Sequence, residues 1–369
     1  MKKIGLYLAG GGARGAYQAG ALKAIQQILD TDVLPFCMLS GVSVGSINAA
    51  MLAQHADDFS AGVQQLVALW SNVHCNDVFN ASNSALIKSV LRNASHVFTK
   101  HRHSGYLLDT TPLANFIGAH LDFEKINQHI ANHTLETLEV LSSCYSTRRT
   151  ISFYQHTFPT FEDWFYPRHI SQRAALDKAH ILSSSALPLF FPAVQIDGIH
   201  YGDGSMGLIS PLRGALRFGM EKVLVLGSNR LPIPKQNSLD EPDCIDFAQV
   251  LGNMFSGVFM DNLDRDIEMV NRMNEIARLL SMWKKRYSSW RPVETLYLRP
   301  TMDISLLAQT QFSSMPVLLR FLLNGMGARR HSGDLLSFLL FEASFTTQLI
   351  TAGYNDTIAN EAAIRAFFN

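Results

Sequence analysis

Twice near its start the chain runs a short apolar segment into glycine and then into a helical pattern, and this repeat most limits what it can fold into. Ile4 to Ala9 is apolar and is closed by Gly10-Gly11-Gly12. From Gly15 onward, Ala16, Ala19, Leu22, Ile25, Ile28 and Leu29 fall at three- and four-residue steps, the single apolar stripe of a helix lying on a sheet. After Pro35 a second apolar run, Phe36 to Leu39, ends at Ser40-Gly41, and Ile47 to Leu52 resumes helical character. A strand too apolar to have a wet face, followed at once by a helix, is the unit of a parallel sheet covered by helices. Further strands are expected at Glu139 to Tyr145, Thr150 to Tyr154, Val194 to Ile196, Ile199 to Tyr201, Lys222 to Gly227 and Thr295 to Leu298, with helices at Ser171 to Leu182 and Leu212 to Phe218. The expectation is an α/β fold with a mainly parallel central sheet.

At 369 residues and 47% hydrophobic composition, the chain can bury a sizeable core and sits at the upper limit for one domain. Pro232 and Pro234 open a polar loop, and helical patterns dominate after it. Residues 1–230 are therefore expected as an α/β domain and residues 231–369 as a mostly helical region packed on it. Lys plus Arg and Asp plus Glu number 31 each, so no global field draws the chain to nucleic acid. Cys37, Cys75, Cys144 and Cys244 stand far apart, without C-x-x-C or zinc-site spacing, so a reducing compartment, no disulfide and no structural metal are expected. The apolar run after Lys2-Lys3 stops at glycine after six residues, and the stretches Ala186 to Val194 and Leu335 to Phe341 are far short of a bilayer span. A soluble, cytoplasmic protein is the expectation.

Gly41-Val42-Ser43-Val44-Gly45 lies between the second strand and the second helix. A G-x-S-x-G sequence there forces a strained turn that holds the hydroxyl out of the sheet, beside the first amides of the next helix, as a nucleophile requires. A tight glycine turn ending in a helix-capping serine fits the same residues. Gly10-Gly11-Gly12-Ala13-Arg14-Gly15 contains dinucleotide spacing at Gly10, Gly12 and Gly15, with Asp30 further on. Ala16 to Leu29 is continuous helix, however, and leaves no second strand to bring Asp30 to a ribose. A glycine loop at a helix N-terminus can instead present N–H groups to a tetrahedral oxyanion, its strand lying beside the strand of the serine. Arg14 orients this loop, pairs with a phosphate, or is a plain surface arginine. A serine nucleophile needs a base, and the α/β-hydrolase order fits poorly because only two strands precede Ser43. Asp203, flanked by Gly202 and Gly204, can approach another backbone closely, although a hairpin turn explains the same three residues. His180 and His200 lie near these motifs in sequence, and both read as core or turn residues.

The glycine loop, the stretch Gly41 to Ala50, and Ser184-Ser185-Ala186-Leu187-Pro188-Leu189-Phe190-Phe191-Pro192 followed by Asp203-Gly204 together resemble the patatin-like phospholipase family over about residues 4 to 230. The tail resembles bacterial members at Leu298-Arg299-Pro300, Asp334 to Phe341 and Gly353-Tyr354-Asn355-Asp356. The resemblance implies a three-layer α/β/α fold and a Ser-Asp dyad with no metal and no other cofactor. In that scheme Ser43 attacks an acyl ester, Asp203 takes its proton, and the amides of Gly11, Gly12 and nearby residues of the Gly10 to Gly15 loop hold the oxyanion. Gly41 and Gly45 shape the turn. A carboxylate is a weak base at neutral pH, so Asp203 is expected to be partly desolvated beside Ser43. The chain departs from many members in Ser205, where they carry glycine or alanine, and from some in Ala9, where they carry an acid.

The implied substrate is a phospholipid or another acylated lipid met at a membrane surface. Trp283-Lys284-Lys285-Arg286-Tyr287-Ser288-Ser289-Trp290-Arg291 interleaves aromatic and basic residues as an anionic surface favours, and a solvated helix end also fits. Met315 to Leu323 is apolar on most sides of a helix, as a lid or a core element. Lys100-His101-Arg102-His103 reads as an exposed loop. Two other functions suit the chain: a general carboxylesterase or thioesterase, and a non-catalytic lipid-binding regulatory protein that kept the fold. The presence of both Ser43 and Asp203 counts against the second.

Overall fold

A computed structural model describes residues 2–82, 84, 106–230, 250, 252–254, 257, 261–279, 291–325 and 333–369. Its strands are β1 (Ile4–Leu8), β2 (Met38–Val42), β3 (Thr137–Cys144), β4 (Arg149–His156), β5 (Phe165–Tyr166), β6 (His169–Arg173), β7 (Val194–Ile196), β8 (Ile199–Asp203), β9 (Lys222–Leu226) and β10 (Glu294–Leu298). Among the described residues the helices are α1 (Gly15–Leu29), α2 (Val44–Ala53), α3 (Phe59–Asn72), α4 (Cys75–Val78), α5 (Thr111–His120), α6 (Phe123–Ala131), α7 (Lys178–Ser184), α8 (Arg213–Arg217), α9 (Asp261–Leu279), α10 (Ile304–Thr310), α11 (Val317–Gly325), α12 (Gly333–Leu339), α13 (Ala343–Ala359) and α14 (Glu361–Phe368).

The strands form one sheet in the order β10-β9-β1-β2-β3-β4-β6-β5. The first five run parallel, β4 is antiparallel to β3, and the short hairpin of β7 and β8 joins at β3. Alternation along each strand divides its side chains between two cores. Leu6, Leu8, Leu224 and Leu226 face the larger core, with α1, α2, α3, α12 and α13, while Tyr7, Val223 and Val225 face a second core containing Leu212, Phe218, Leu263 and Val270. Both faces are covered, which is why these strands are apolar throughout. The fold is a three-layer α/β/α arrangement with a mainly parallel sheet and a helical C-terminal region.

That region is tied into the same sheet. β10 pairs with β9. Asp356 on α13 accepts the Tyr17 hydroxyl at 3.1 Å, the Thr301 hydroxyl at 2.6 Å and the Thr301 amide at 3.0 Å. The loop expected as a seam at 230–243 lies, apart from Arg230, outside the described residues.

Two local expectations are corrected. The helix expected from Ser171 to Leu182 is the strand β6 followed by α7. β6 pairs with β4, and the Asp177 carboxylate accepts the amides of Ala179 at 2.9 Å and His180 at 3.2 Å, which fixes the helix start beyond it. Gly202 and Asp203, read as a turn, are the last residues of β8.

Candidate active site

β1 and β2 lie side by side, with Leu8 opposite Gly41, and each is followed by a loop at its carboxyl end. This is where open α/β sheets bind ligands. After Val42 the chain turns sharply: Ser43 has φ 54° and ψ −129°, a conformation that costs a residue with a side chain about 1–3 kcal/mol. Surrounding bonds hold it there. The Ser43 amide donates to Ser184 Oγ at 2.9 Å, and the Ser46 hydroxyl and amide donate to the Ser43 carbonyl at 2.6 and 2.9 Å. Only glycine fits at position 45, because a Cβ there would stand 2.1 Å from the Leu8 carbonyl oxygen.

The position of Asp203 follows from pairing. One edge of β3 is filled by β4 along its whole length. The other edge pairs with β2 from Thr137 to Leu141 and with β8 from Ser142 to Cys144. β8 therefore takes over where β2 ends, and Asp203, opposite Ser142, stands at the level where Ser43 turns away. Ser184 links the two segments. Its hydroxyl accepts from Ser43 and donates to the Leu141 carbonyl at 2.5 Å, while its own carbonyl accepts the Gly204 amide at 3.1 Å. Asp203 is wholly buried; its Oδ1 accepts the Ser205 amide at 2.9 Å and its Oδ2 has no partner among the described residues. Desolvation pushes its pKa up to about 6, against the opposing pull of the Ser43 hydroxyl and of the Ser205 amide and hydroxyl.

The glycine loop packs against this pair. A Cβ on Gly10 would stand 3.1 Å from the Ser43 Cβ, and the Gly10 carbonyl accepts the Ser228 hydroxyl. Gly12 has φ 57° and lies so close to the Phe338 carbonyl that a Cβ would come within 2.2 Å of its oxygen. A buried polar network fixes the flanks: Gln18 Nε2 donates to the Ala9 carbonyl at 2.8 Å, and Asn48 Nδ2 donates to the Gly15 carbonyl at 3.1 Å and to Gln18 Oε1 at 2.8 Å. Gly11 and Gly12 share a pocket with Ser43, whereas Ala13 is buried in the core and Gly15 packs on Val44 and Trp70.

Arg14 is neither a surface residue nor an open phosphate site. It is 1% exposed and donates from Nε to Ser337 Oγ at 2.7 Å, from Nη1 to Asn229 Oδ1 at 2.8 Å and from Nη2 to Asp334 Oδ1 at 2.8 Å. It orients the loop by strapping it to α12. Asp30 is the exposed, left-handed cap of α1, with no strand between it and the loop.

The pocket over Ser43 is narrow, about 50 Å³ in volume, and its walls are almost entirely carbon, including Val44, Ile47, Trp70, Leu187, Phe338 and Phe341. The Ser185 hydroxyl, also in its lining, is buried without a hydrogen-bond partner among the described residues. Among the described residues, none that lines the pocket is a histidine. His180 is taken by Asp177 at 2.7 Å and meets the Phe153 ring edge-on, and His200 is exposed on β8. Sequence reasoning assigned no role to Ser184, although it lies within a quoted motif. Asp334 likewise lies within a quoted motif but was assigned no role, and Ser228 and Gln18 carried no signal that sequence reasoning used.

The family model described as Patatin-like phospholipase matches residues 6–216. Lysophospholipase nte1 of Aspergillus terreus is 39% identical over 56 residues, and Lysophospholipase NTE1 of Chaetomium globosum 41% identical over 56 residues. Each match covers 15% of this chain and 3% of the relative. Among solved structures, human GIVD cytosolic phospholipase A2 in complex with methyl γ-linolenyl fluorophosphonate is 12% identical, matching all of this chain and 59% of that one with a TM-score of 0.46. VipD from Legionella pneumophila is 10% identical over 95% of this chain and 67% of that one, with a TM-score of 0.31. The family match takes in more than half of the chain, including the glycine loop, Ser43 and Asp203, and the chain belongs to the patatin-like phospholipase family.

Proposed function

We propose that the protein is a lipid acyl hydrolase of the phospholipase A or lysophospholipase type, with Ser43 as nucleophile and Asp203 as general base. The observation that carries this reading is a wholly buried carboxyl group, raised to about 6 and with one oxygen unpartnered among the described residues, beside a serine on a strained turn over an apolar pocket. Asp203 accepts the hydroxyl proton as Ser43 Oγ attacks the acyl carbonyl. The amides of Gly11 and Gly12 stabilise the oxyanion. Collapse expels the alcohol, which takes the proton from Asp203, and an acyl-enzyme remains. Water then attacks the acyl carbon, gives its proton to Asp203, and the fatty acid leaves as Ser43 Oγ regains that proton. No cofactor enters this scheme.

A carbon-lined pocket suits an acyl chain. Collection of substrate at a lipid surface is supported by Val317 and Phe321, one turn apart on α11 and 69% and 71% exposed. The aromatic and basic stretch from Trp283, apart from Arg291, and the Lys100 to His103 loop lie outside the described residues. No described helix is long and apolar enough to cross a membrane.

The test is labelling with a serine-reactive fluorophosphonate together with fatty-acid release from phospholipid vesicles. Ser43→Ala and Asp203→Ala are each expected to lower hydrolysis on the order of a thousandfold or more, and Ser43→Ala to abolish labelling. Retained hydrolysis in Ser43→Ala sinks the mechanism. A preference for short soluble esters over vesicles points to a general esterase instead, and a wild-type protein that neither labels nor hydrolyses points to lipid binding alone.

A further inference from the structure

The pocket over Ser43 is completed by residues beyond the family-matched stretch. The match ends at residue 216, yet Phe338 and Phe341 form part of the wall. Phe338 belongs to the end beside the glycine loop, because its carbonyl abuts Gly12 and its ring lies 4.9 Å under the Arg14 guanidinium. Phe341 belongs to the wall made by the end of α3 and by α4, which also contributes Val73 and Val78. Its ring stacks on Trp70 at 6.4 Å and meets Phe79 edge-on at 6.4 Å.

Phe341 is held firmly. Trp70 is fixed through Nε1, which donates to Asn48 Oδ1 at 2.9 Å, and its carbonyl accepts the Thr346 hydroxyl at 2.7 Å. The next residue, Glu342, bonds to the His74 ring at 3.0 Å and accepts the Cys75 amide at 3.3 Å. The Phe341 ring is 6% exposed and cannot swing aside without breaking this arrangement.

We propose that Phe341 sets the length of acyl chain the site accepts, so that chain-length selection resides in the C-terminal region and not in the family-matched stretch. The proposal rests on the reading of Ser43 as the nucleophile of an acyl hydrolase. Each methylene that fits an apolar pocket raises kcat/KM by roughly tenfold or more. A methylene that meets a fixed ring gains nothing and displaces packing. The profile of kcat/KM against chain length therefore rises and then breaks where the chain reaches Phe341.

The experiment measures kcat/KM for p-nitrophenyl esters from butyryl to palmitoyl on wild type, Phe341→Ala, Phe341→Leu and Phe341→Trp. The readout is the ratio of long-chain to short-chain kcat/KM on one preparation, which cancels any loss of folded enzyme. The ratio is expected to rise about tenfold or more in Phe341→Ala, less in Phe341→Leu, and to fall in Phe341→Trp. An unchanged ratio in the alanine and leucine variants, with Ser43 still labelled by fluorophosphonate, overturns the assignment of Phe341 and leaves the nucleophile reading standing. Absence of both labelling and hydrolysis in wild type overturns the two together.

Discussion

Asp203 is buried at the expense of its charged form, and this has opposite consequences for activity and stability. As the proposed base it must be ionised, so hydrolysis should rise with pH through about 6 and be lost below it. For stability the sign reverses. The folded-state pKa lies above the ordinary 3.8, so between 3.8 and about 6 the folded protein binds more protons than the unfolded chain. The contribution of this group to stability therefore falls as pH rises through that window, by roughly 3 kcal/mol in all. Asp203→Asn, similar in shape and uncharged, should abolish hydrolysis and raise the midpoint of denaturation well above pH 6, with little gain at acid pH. A midpoint that does not move at neutral pH would show that the carboxylate is better solvated than its burial implies. Very little of this was legible locally. Gly202-Asp203-Gly204 alone also fits a turn; it is the family resemblance that implies Asp203 as a partly desolvated base, and its place is fixed by Ser142 across the strand and by Ala186, whose carbonyl accepts its amide.

At the scale of elements, the strands were legible because a strand buried on both faces must be apolar throughout, as Ile4 to Leu8 and Lys222 to Leu226 largely are. The segment from Ser171 was misread because its structure comes from pairing with β4, which no local period reports. The glycine loop was recognised, with an orienting role among the readings of Arg14, but the partner that makes Arg14 an anchor was not, since Arg14 and Asp334 are remote in sequence. Arg14→Ala leaves the Asp334 carboxylate and Ser337 without their buried donor, and it should destabilise the protein by roughly 2–4 kcal/mol in urea denaturation. Fluorophosphonate labelling should slow in the same variant even where it is fully folded, because the loop loses its strap to α12. Unaltered labelling would mean that the glycines hold the loop unaided. Helix α11, expected as a lid or core element, divides its apolar residues: Leu319 and Leu323 are buried and Val317 and Phe321 exposed. Phe321→Ser should therefore weaken binding to phospholipid vesicles by roughly tenfold, with a smaller effect on dissolved esters. An equal loss on both substrates would refute a surface role.

At the scale of the whole molecule, the expected division at residue 230 raises the question of whether the first part can stand alone. Two features argue that it cannot. β9, buried along its length and apolar from Val223 to Leu226, is an inner strand only because β10 pairs with it. Removing β10 makes β9 an unprotected edge, open to pairing with another chain. The outer side of α1 is covered by α13, whose Phe345 and Leu349 lie in the same core as Tyr17 and Leu22. Removing α13 exposes that apolar surface as one continuous patch, a liability for aggregation. The glycine loop also loses Asp334, Ser337 and Phe338, so even a folded remnant would have its proposed oxyanion amides unsupported and its pocket open. A chain ending at residue 230 is thus expected to be insoluble, or soluble but unreactive to fluorophosphonate. A soluble, monomeric and fully labelled fragment would establish residues 1–230 as an autonomous unit and refute the dependence argued here.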